Sequence, residues 1–377
     1  MKYFIWLLRI VVGVLFIFSG LVKANDPMGL VYKMDEFFEA LNMTFMMHWS
    51  FEFSVTMIAF EIVCGIAVLL GYSFRLFAAL LVLLNFVFLF ITGYALVTGK
   101  VKECGCFGAC IKISNNATFY KDIALTVMAL ILYAYRGRVQ GLFGKSVNTA
   151  IMVVGVLFAS GVQYWAIKHL PFNDCLAYKP GNNIWEKMQP AANSTPPVFQ
   201  TTFVYEKGGV KKEFTSDNYP WQDSTWKFVS SESKMIKEGT GQPEIPHDFA
   251  FTDSDGTDQT KALLTAKGYV FFWFLREPQK AHLDNMDKLR GLMTKAAVLH
   301  IPFYMLSSVG YDDALPYRKQ WNMMDIQMMT LDGTVSKTAL RTNPGLMLMK
   351  DGVVVKKWSY ADYPADMAFD NGRLDIK

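Results

Sequence analysis

An α-helical membrane bundle followed by a soluble α/β domain is the fold that this sequence predicts, on three observations. Apolar residues crowd into the first half of the chain as five long segments, and the composition turns polar from His169 onward. Beyond that point short apolar runs alternate with helix-like stretches. With 52% hydrophobic and only 19% charged residues among 377, the chain is too apolar to be a single soluble domain. A net charge of +4, with Lys and Arg dispersed and no basic face interleaved with aromatics, gives no reason to expect a nucleic-acid partner.

Five segments approach the ~20 apolar residues that cross a bilayer: Tyr3 to Val22, Phe51 to Leu70, Phe74 to Val97, Phe119 to Tyr135 and Ala150 to Ile167. The first lacks an A-x-A-like cleavage site and is followed by further spans, so it reads as a retained helix rather than a signal peptide. The turn at Gly71 to Ser73 is so short that the second and third spans form an antiparallel hairpin. With the N-terminus inside, the loops at 23–50 and 98–118 and everything after 168 share the outer side. Arg75, Arg136, Arg138 and Lys145 flank the inner turns in agreement with this, although Lys100, Lys102 and Lys112 fall outside. The expected organisation is a four-helix bundle over 1–140, a fifth span over 141–168, a β-rich connector over 169–246 and an α/β domain over 247–377.

In the connector, two alternating runs of FQTTFVYEKGGVKKEFT flank Lys207-Gly208-Gly209 as a hairpin, followed by the aromatic run YPWQDSTWKFV. The last region predicts strands at FAFTD, YVFFWFL, FYMLSS and IQMMT, with helices near His282 to Ala297 and near Tyr317. A short helix at Ser336 to Arg341 follows, and then strands GLMLMK and VVVKKWS joined at Asp351-Gly352.

Chemistry concentrates in the loop after the third span, where Cys104, Cys106 and Cys110 stand close together. Cysteines separated by one glycine can close only a small ring, and a disulfide so constrained is oxidising, so a redox-active thiol loop competes with a structural disulfide that pins it. Cys104–Cys106 and Cys106–Cys110 are alternative pairs, and Cys175, just beyond the fifth span, is a further partner for Cys110 or a relay thiol. Three thiolates without a local fourth ligand match no common zinc spacing, so no metal is expected. Lys100, Lys102, Lys112 and Lys121 either lower the thiol pKa or serve as interfacial anchors. Cys64, inside the second span, reads as an inert small hydrophobe. Glu61 is the sharpest feature within the membrane, because a mid-span carboxylate is costly unless paired, protonated or facing a polar cavity. It serves either proton transfer to a bound quinone, pairing with a lysine, or a hydrogen bond to Asn85 or Thr92. Ser19, Gly20, Lys23, Asp26 and Pro27 close the first span as a polar cluster, with Asp26-Pro27 readable as a simple turn.

SGLVKANDPMG after the first span, the glutamate and glycine of FEIVCGIAVLLGY, CGCFG after the third span and FYKD opening the fourth together resemble the DoxX/MauE-like membrane proteins. The resemblance covers roughly residues 1–140. It implies a four-helix bundle related to quinone-linked thiol oxidases of the DsbB and vitamin K epoxide reductase type, in a bacterial inner membrane with the C-terminal domain periplasmic. It places Cys104 and Cys106 at the motif cysteines and Glu61, Lys23, Asp26, Lys121 and Asp122 at its polar positions, and the candidate catalytic residues are Cys104, Cys106 and Glu61. It also implies a quinone cofactor, and Cys110 stands outside the usual pattern. Thr342-Asn343-Pro344-Gly345 resembles the cis-proline loop of thioredoxin-like domains, yet where that family has C-x-x-C this chain has Arg276-Glu277-Pro278-Gln279-Lys280. Without a thiolate the domain cannot exchange disulfides and is expected to dock periplasmic thiol or envelope proteins. Two functions follow: a membrane thiol oxidoreductase that couples periplasmic dithiols to a quinone, or a non-enzymatic scaffold of an envelope complex with structural cysteines.

Overall fold

The computed structural model describes residues 2–101, 108, 110–111, 113–195, 198–215, 220, 223, 225–237, 239–241, 243–246 and 249–376; the side chains of 198–200 and 231–237 are outside this description. The chain divides into two compact units, one formed by Met1–Asn183 with Asp248–Lys377 and the other by Ile184–His247.

The first unit opens with six helices: α1 (Lys2–Asn25), α2 (Pro27–Ala40), α3 (Ser50–Leu70), α4 (Phe74–Thr98), α5 (Asn115–Ala134) and α6 (Lys145–His169). Of these, α1, α3, α4, α5 and α6 are long and apolar enough to cross a membrane, and the chain is a membrane-spanning protein. Outward-facing Leu83, Phe90, Val154 and Leu157 are more than half exposed, the surface that lipid would cover. The closest helix contact runs between α1 and α3, where small residues remove the side-chain barrier. A Cβ on Gly65 would stand 2.7 Å from the Gly13 carbonyl oxygen, and one on Gly20 would stand 2.5 Å from Ile62 Cγ1. At one end of this seam Arg9 donates to the Val68 and Leu69 carbonyls at 3.1 and 2.8 Å, satisfying the last turn of α3. At the other end it sets Lys23 of α1 against Glu61 of α3.

Helix α2 differs from the turn expected at Asp26-Pro27. Asp26 caps it, accepting from the Gly29 N–H at 3.0 Å, and Pro27 occupies the first helical position, so the dipeptide starts a 14-residue helix.

The second unit contains a short helix, α7 (Ile184–Lys187), and three antiparallel strands, β1 (Val198–Lys207), β2 (Val210–Thr215) and β3 (Lys227–Lys237), in the order β2-β1-β3. The expected hairpin is present, turning at Gly208 and Gly209 with φ of 60° and 81°.

Returning to the first unit, α8 (Thr260–Leu264) and β4 (Tyr269–Phe274) precede α9 (Met286–Val298), β5 (Phe303–Ser307), α10 (Tyr311–Gln320), β6 (Gln327–Thr330) and α11 (Gly333–Ala339). After these come β7 (Gly345–Lys350), β8 (Val353–Ser359), β9 (Met367–Asp370) and β10 (Arg373–Ile376). A five-stranded sheet has the order β6-β5-β4-β7-β8, with β4, β5 and β6 parallel and β7 and β8 antiparallel to their neighbours. Strand β4 lies at its centre, and Phe271, Phe272, Trp273 and Phe274 are all buried, as its unbroken apolar run requires. Leu289, Leu292 and Ala296 of α9 cover one face. FAFTD is not a strand: it buries Phe249 and Phe251 and meets β6 at an isolated bridge from Thr252 to Thr330. The Asn343–Pro344 bond, just ahead of β7, is cis, as the loop resemblance implies.

Candidate functional site

At the end of the bundle where α1 finishes, Lys23 and Glu61 form a buried ion pair. The Nζ lies 2.5 Å from Oε1 and 2.7 Å from Oε2, with side chains 4% and 0% exposed. Ser19, one turn back on α1, accepts from Nζ at 3.0 Å and donates to Glu61 Oε2 at 3.1 Å. The ammonium also stands 5.2 Å from the centre of the Phe88 ring. Lys23 thus has an acceptor for each of its three N–H bonds, which is how two charges persist in an apolar bundle. Asn85 and Thr92 donate instead to the Leu81 and Phe88 carbonyls of their own helix, so neither is the partner of Glu61.

A second acidic side chain, Asp122 of α5, is fully buried with Lys121 Nζ 2.6 Å from its Oδ1. Lys23, Ser19, Phe88 and Lys121 line one cavity, so five of the polar positions singled out in the sequence, Ser19, Lys23, Glu61, Lys121 and Asp122, meet around it or one bond away. Its volume is about 40 Å³. That admits a water-sized group, whereas small-molecule sites occupy roughly 300–1,000 Å³. The described residues that surround it do not fit a quinone ring. Lys121 and Lys23 each face a carboxylate, which cancels most of the positive field they would otherwise lend to a nearby thiol.

Cys104, Cys106, Lys102 and Lys112 lie outside the described residues. The flanks of their segment are described. Gly108 lies beside the Val22 backbone, and Cys110 forms a disulfide with Cys175 at a Cα–Cα distance of 4.8 Å. That closes the Cys106–Cys110 alternative. Asn25, two residues past Lys23, donates to the Cys110 sulfur at 3.9 Å and to the Asn173 carbonyl at 2.8 Å, while its Oδ1 accepts from the Asn173 N–H at 2.9 Å. The loop, the end of α1 and the stretch after α6 are therefore knotted together. Cys64 is a buried free thiol on α3, one turn beyond Glu61. Cys175→Ser should lower stability by roughly 2–4 kcal/mol, toward the lower figure because α5 and α6 remain inserted helices after unfolding and the freed loop gains less entropy. Thermal unfolding in detergent with and without reductant checks this; no difference between wild type and variant without reductant would mean that the bond does not hold the loop.

Asp26 takes a different place. Arg341, just beyond α11, grips it with two nitrogens, Nε at 3.0 Å from both carboxylate oxygens and Nη2 at 2.8 Å from Oδ2, and both side chains are 8% exposed. Beside them Tyr32 of α2 lies under Lys337 and Arg341, 5.3 and 5.5 Å from its ring. Burial pushes the Tyr32 phenol above its ordinary range, against the opposing pull of Arg276 and Arg341. The loop holding the cis bond is next to this contact: Asn343 Nδ2 donates to the Glu277 carbonyl at 2.8 Å, and Asn343 Oδ1 accepts from the Glu277 N–H at 3.4 Å. Glu277 and Asn343 are thus bonded to each other two residues from the Arg341 contact with Asp26. The Asp26–Arg341 contact escaped sequence reasoning, since nothing links positions 315 residues apart.

Residues 1–135 match the family model described as Methylamine utilisation protein MauE. This stretch, which carries the Lys23–Glu61 pair and the C-G-C segment, is MauE-like. A second model, described as Domain of unknown function (DUF8463), matches residues 199–238, the three-stranded sheet of the smaller unit. A comparison with curated proteins gave no match.

Proposed function

We propose that the protein is a membrane-embedded accessory for thiol–disulfide exchange, with Cys104 and Cys106 as the exchanging pair. The observation that carries this reading is the Cys110–Cys175 disulfide. It holds Cys110, four positions after Cys106, beside the end of α1 and removes Cys110 from competition. Disulfides persist in oxidising compartments, which supports a bacterial inner-membrane protein whose cysteine loop and C-terminal region face the periplasm. The order β6-β5-β4-β7-β8 and the loop at Asn343–Pro344 support a thioredoxin-like reading of the C-terminal region. Residues 276–280 carry no thiol where that family has its reactive pair, so the region binds and positions rather than reacts.

In this reading a client thiolate attacks one sulfur of a Cys104–Cys106 disulfide and forms a mixed disulfide. The client's second thiolate resolves it, leaving an oxidised client and a loop dithiol that has gained two electrons and two protons. Reoxidation takes a two-electron acceptor, for which a lipid-soluble quinone is the chemical class suited to a bilayer. The residues around the 40 Å³ cavity have no room for one and are assigned no part in that step. Glu61 and Lys23 hold α1 against α3. The family's name concerns methylamine utilisation, and only the membrane accessory role is carried over.

The scaffold reading is favoured by the Lys23–Glu61 pair, whose bonds to each other and to Ser19 suit a packing role. Alkylation trapping in membranes separates the two. Cys104→Ser and Cys106→Ser should each abolish the change in loop thiol state that follows addition of a reduced dithiol peptide, with Cys110–Cys175 intact. A wild-type loop whose thiol state never responds would leave the scaffold in its place.

A further inference from the structure

Where α6 ends, the chain turns through residues 170–180 and passes along the edge of the C-terminal sheet. Gly181 donates to the Val354 carbonyl at 2.8 Å, and Val354 donates back to that of Asn182 at 2.9 Å. Between this turn, the end of α6 and β8 lies a cavity of about 610 Å³, within the range of small-molecule sites. Its charge is lopsided. Lys179, Lys356, Lys357 and Arg341 line it against one carboxylate, Asp174. Two of the four cations are already engaged: Lys357 Nζ lies 2.5 Å from Asp174 and donates to the Ala339 carbonyl at 3.0 Å, and Arg341 holds Asp26. Lys179 and Lys356 are exposed and have no ion pair among the described residues. Lys356 rests 5.3 Å above the Trp358 ring, which aims it without neutralising it.

The opposite wall is aromatic. Trp165, in the last turn of α6, and Phe172 lie stacked 6.2 Å apart and are 50% and 63% exposed. Large exposed aromatics at the end of a membrane-spanning helix sit at the headgroup level of a bilayer. A cavity that is cationic on its protein side and aromatic on its lipid side, at that depth, matches a molecule with an anionic head and an apolar tail. We infer that this cavity binds the phosphate headgroup of an anionic phospholipid, with Lys179 and Lys356 facing the phosphate and Trp165 and Phe172 flanking the glycerol and the start of the acyl chains. Lys357 lies deeper, and its Asp174 partner makes it part of the floor. The lipid would then bridge α6, the turn after it and the C-terminal sheet, beside the Cys110–Cys175 disulfide, and its binding does not depend on the function proposed above.

The test uses the full chain purified in a neutral detergent. Phosphatidylglycerol should raise the unfolding temperature and give a bound adduct in native mass spectrometry, while phosphatidylcholine with the same acyl chains should do neither. Lys179→Gln with Lys356→Gln should weaken phosphatidylglycerol binding about thirtyfold, the effect of removing two surface cations. Lys288→Gln, exposed on α9, should leave it unchanged. Because both cavity lysines are exposed, the double variant should keep its lipid-free unfolding temperature. Trp165→Ala separates the two sources of phosphate: it should weaken phosphatidylglycerol binding and leave any binding of inorganic phosphate unaltered. Equal binding of both lipids, or full retention in the double lysine variant, would overturn the assignment. So would inorganic phosphate binding as tightly as the lipid with Trp165→Ala silent, since the occupant would then be a free anion.

Discussion

Glu61→Gln should cost roughly 3–5 kcal/mol of stability, because it leaves the Lys23 ammonium buried at 4% exposure without its countercharge. The amide keeps the shape of the carboxylate and one acceptor oxygen, so the loss is electrostatic rather than steric. Lys23→Met should cost a similar amount by stranding the carboxylate. The pair together behaves differently: Lys23→Met with Glu61→Leu removes both buried charges and should recover most of the loss, since apolar replacement of a buried ion pair is often neutral or stabilising. Ser19 would keep one hydroxyl in an apolar setting, a smaller penalty. Thermal unfolding of the four proteins in detergent gives the coupling directly. Additive losses would mean that the two side chains do not pair in the membrane. The double variant has a second use. If it is stable and its loop still exchanges with a dithiol peptide, the pair serves packing alone; if it is stable and silent, the pair shapes the reactivity of the loop.

The same residues show what the sequence made legible. Five spans could be read because soluble domains rarely hold unbroken apolar runs of about twenty residues, and Glu61 stood out because a carboxylate inside such a run demands a partner. Its partner could not be read. Lys23 is 38 positions away, and the pairing depends on how closely α1 approaches α3, which Gly13, Gly20 and Gly65 decide by what they lack. The cysteine alternatives stayed open for a similar reason, as Cys110 and Cys175 are brought together only by the fold of the loop and the end of α6. Helix α2 was legible and passed over: Asp-Pro is a turn signal, but it is also the N-cap and first position of a helix, and Leu30, Val31, Phe37 and Phe38 supply the apolar stripe that follows. The terminal hairpin of β9 and β10 had its signal too, in Asn371-Gly372, whose φ values of 49° and 76° suit that dipeptide.

Asp26→Asn should loosen the C-terminal region from α2 at a cost of about 2–5 kcal/mol, the loss that follows when one partner of a buried, hydrogen-bonded charge pair is removed. Asparagine isolates the ion pair from the other task of this side chain. Its carbonyl oxygen can still accept from the Gly29 N–H and cap α2, so the helix keeps its start and only Arg341 loses its countercharge. Arg341 would retain its bond to the Lys337 carbonyl and its place over Tyr32, neither of which neutralises a guanidinium that is 8% exposed. Arg341→Ala should act in the same direction, and the double variant Asp26→Asn with Arg341→Ala should lose less than the sum of the two. The exposed pair of Lys295 with Asp366 provides a control within the same region, and Lys295→Ala should change stability by no more than about 1 kcal/mol. Hydrogen exchange of the full chain in detergent reads the effect locally. Amides of α2 and of residues 340–345 should exchange faster in Asp26→Asn, while those of α9, on the far side of the sheet, keep their protection. Uniform loss of protection over the whole chain would mean that the pair supports global folding and not a contact between α2 and the loop at Pro344. No change at either place would mean that Asp26 and Arg341 do not meet in the protein.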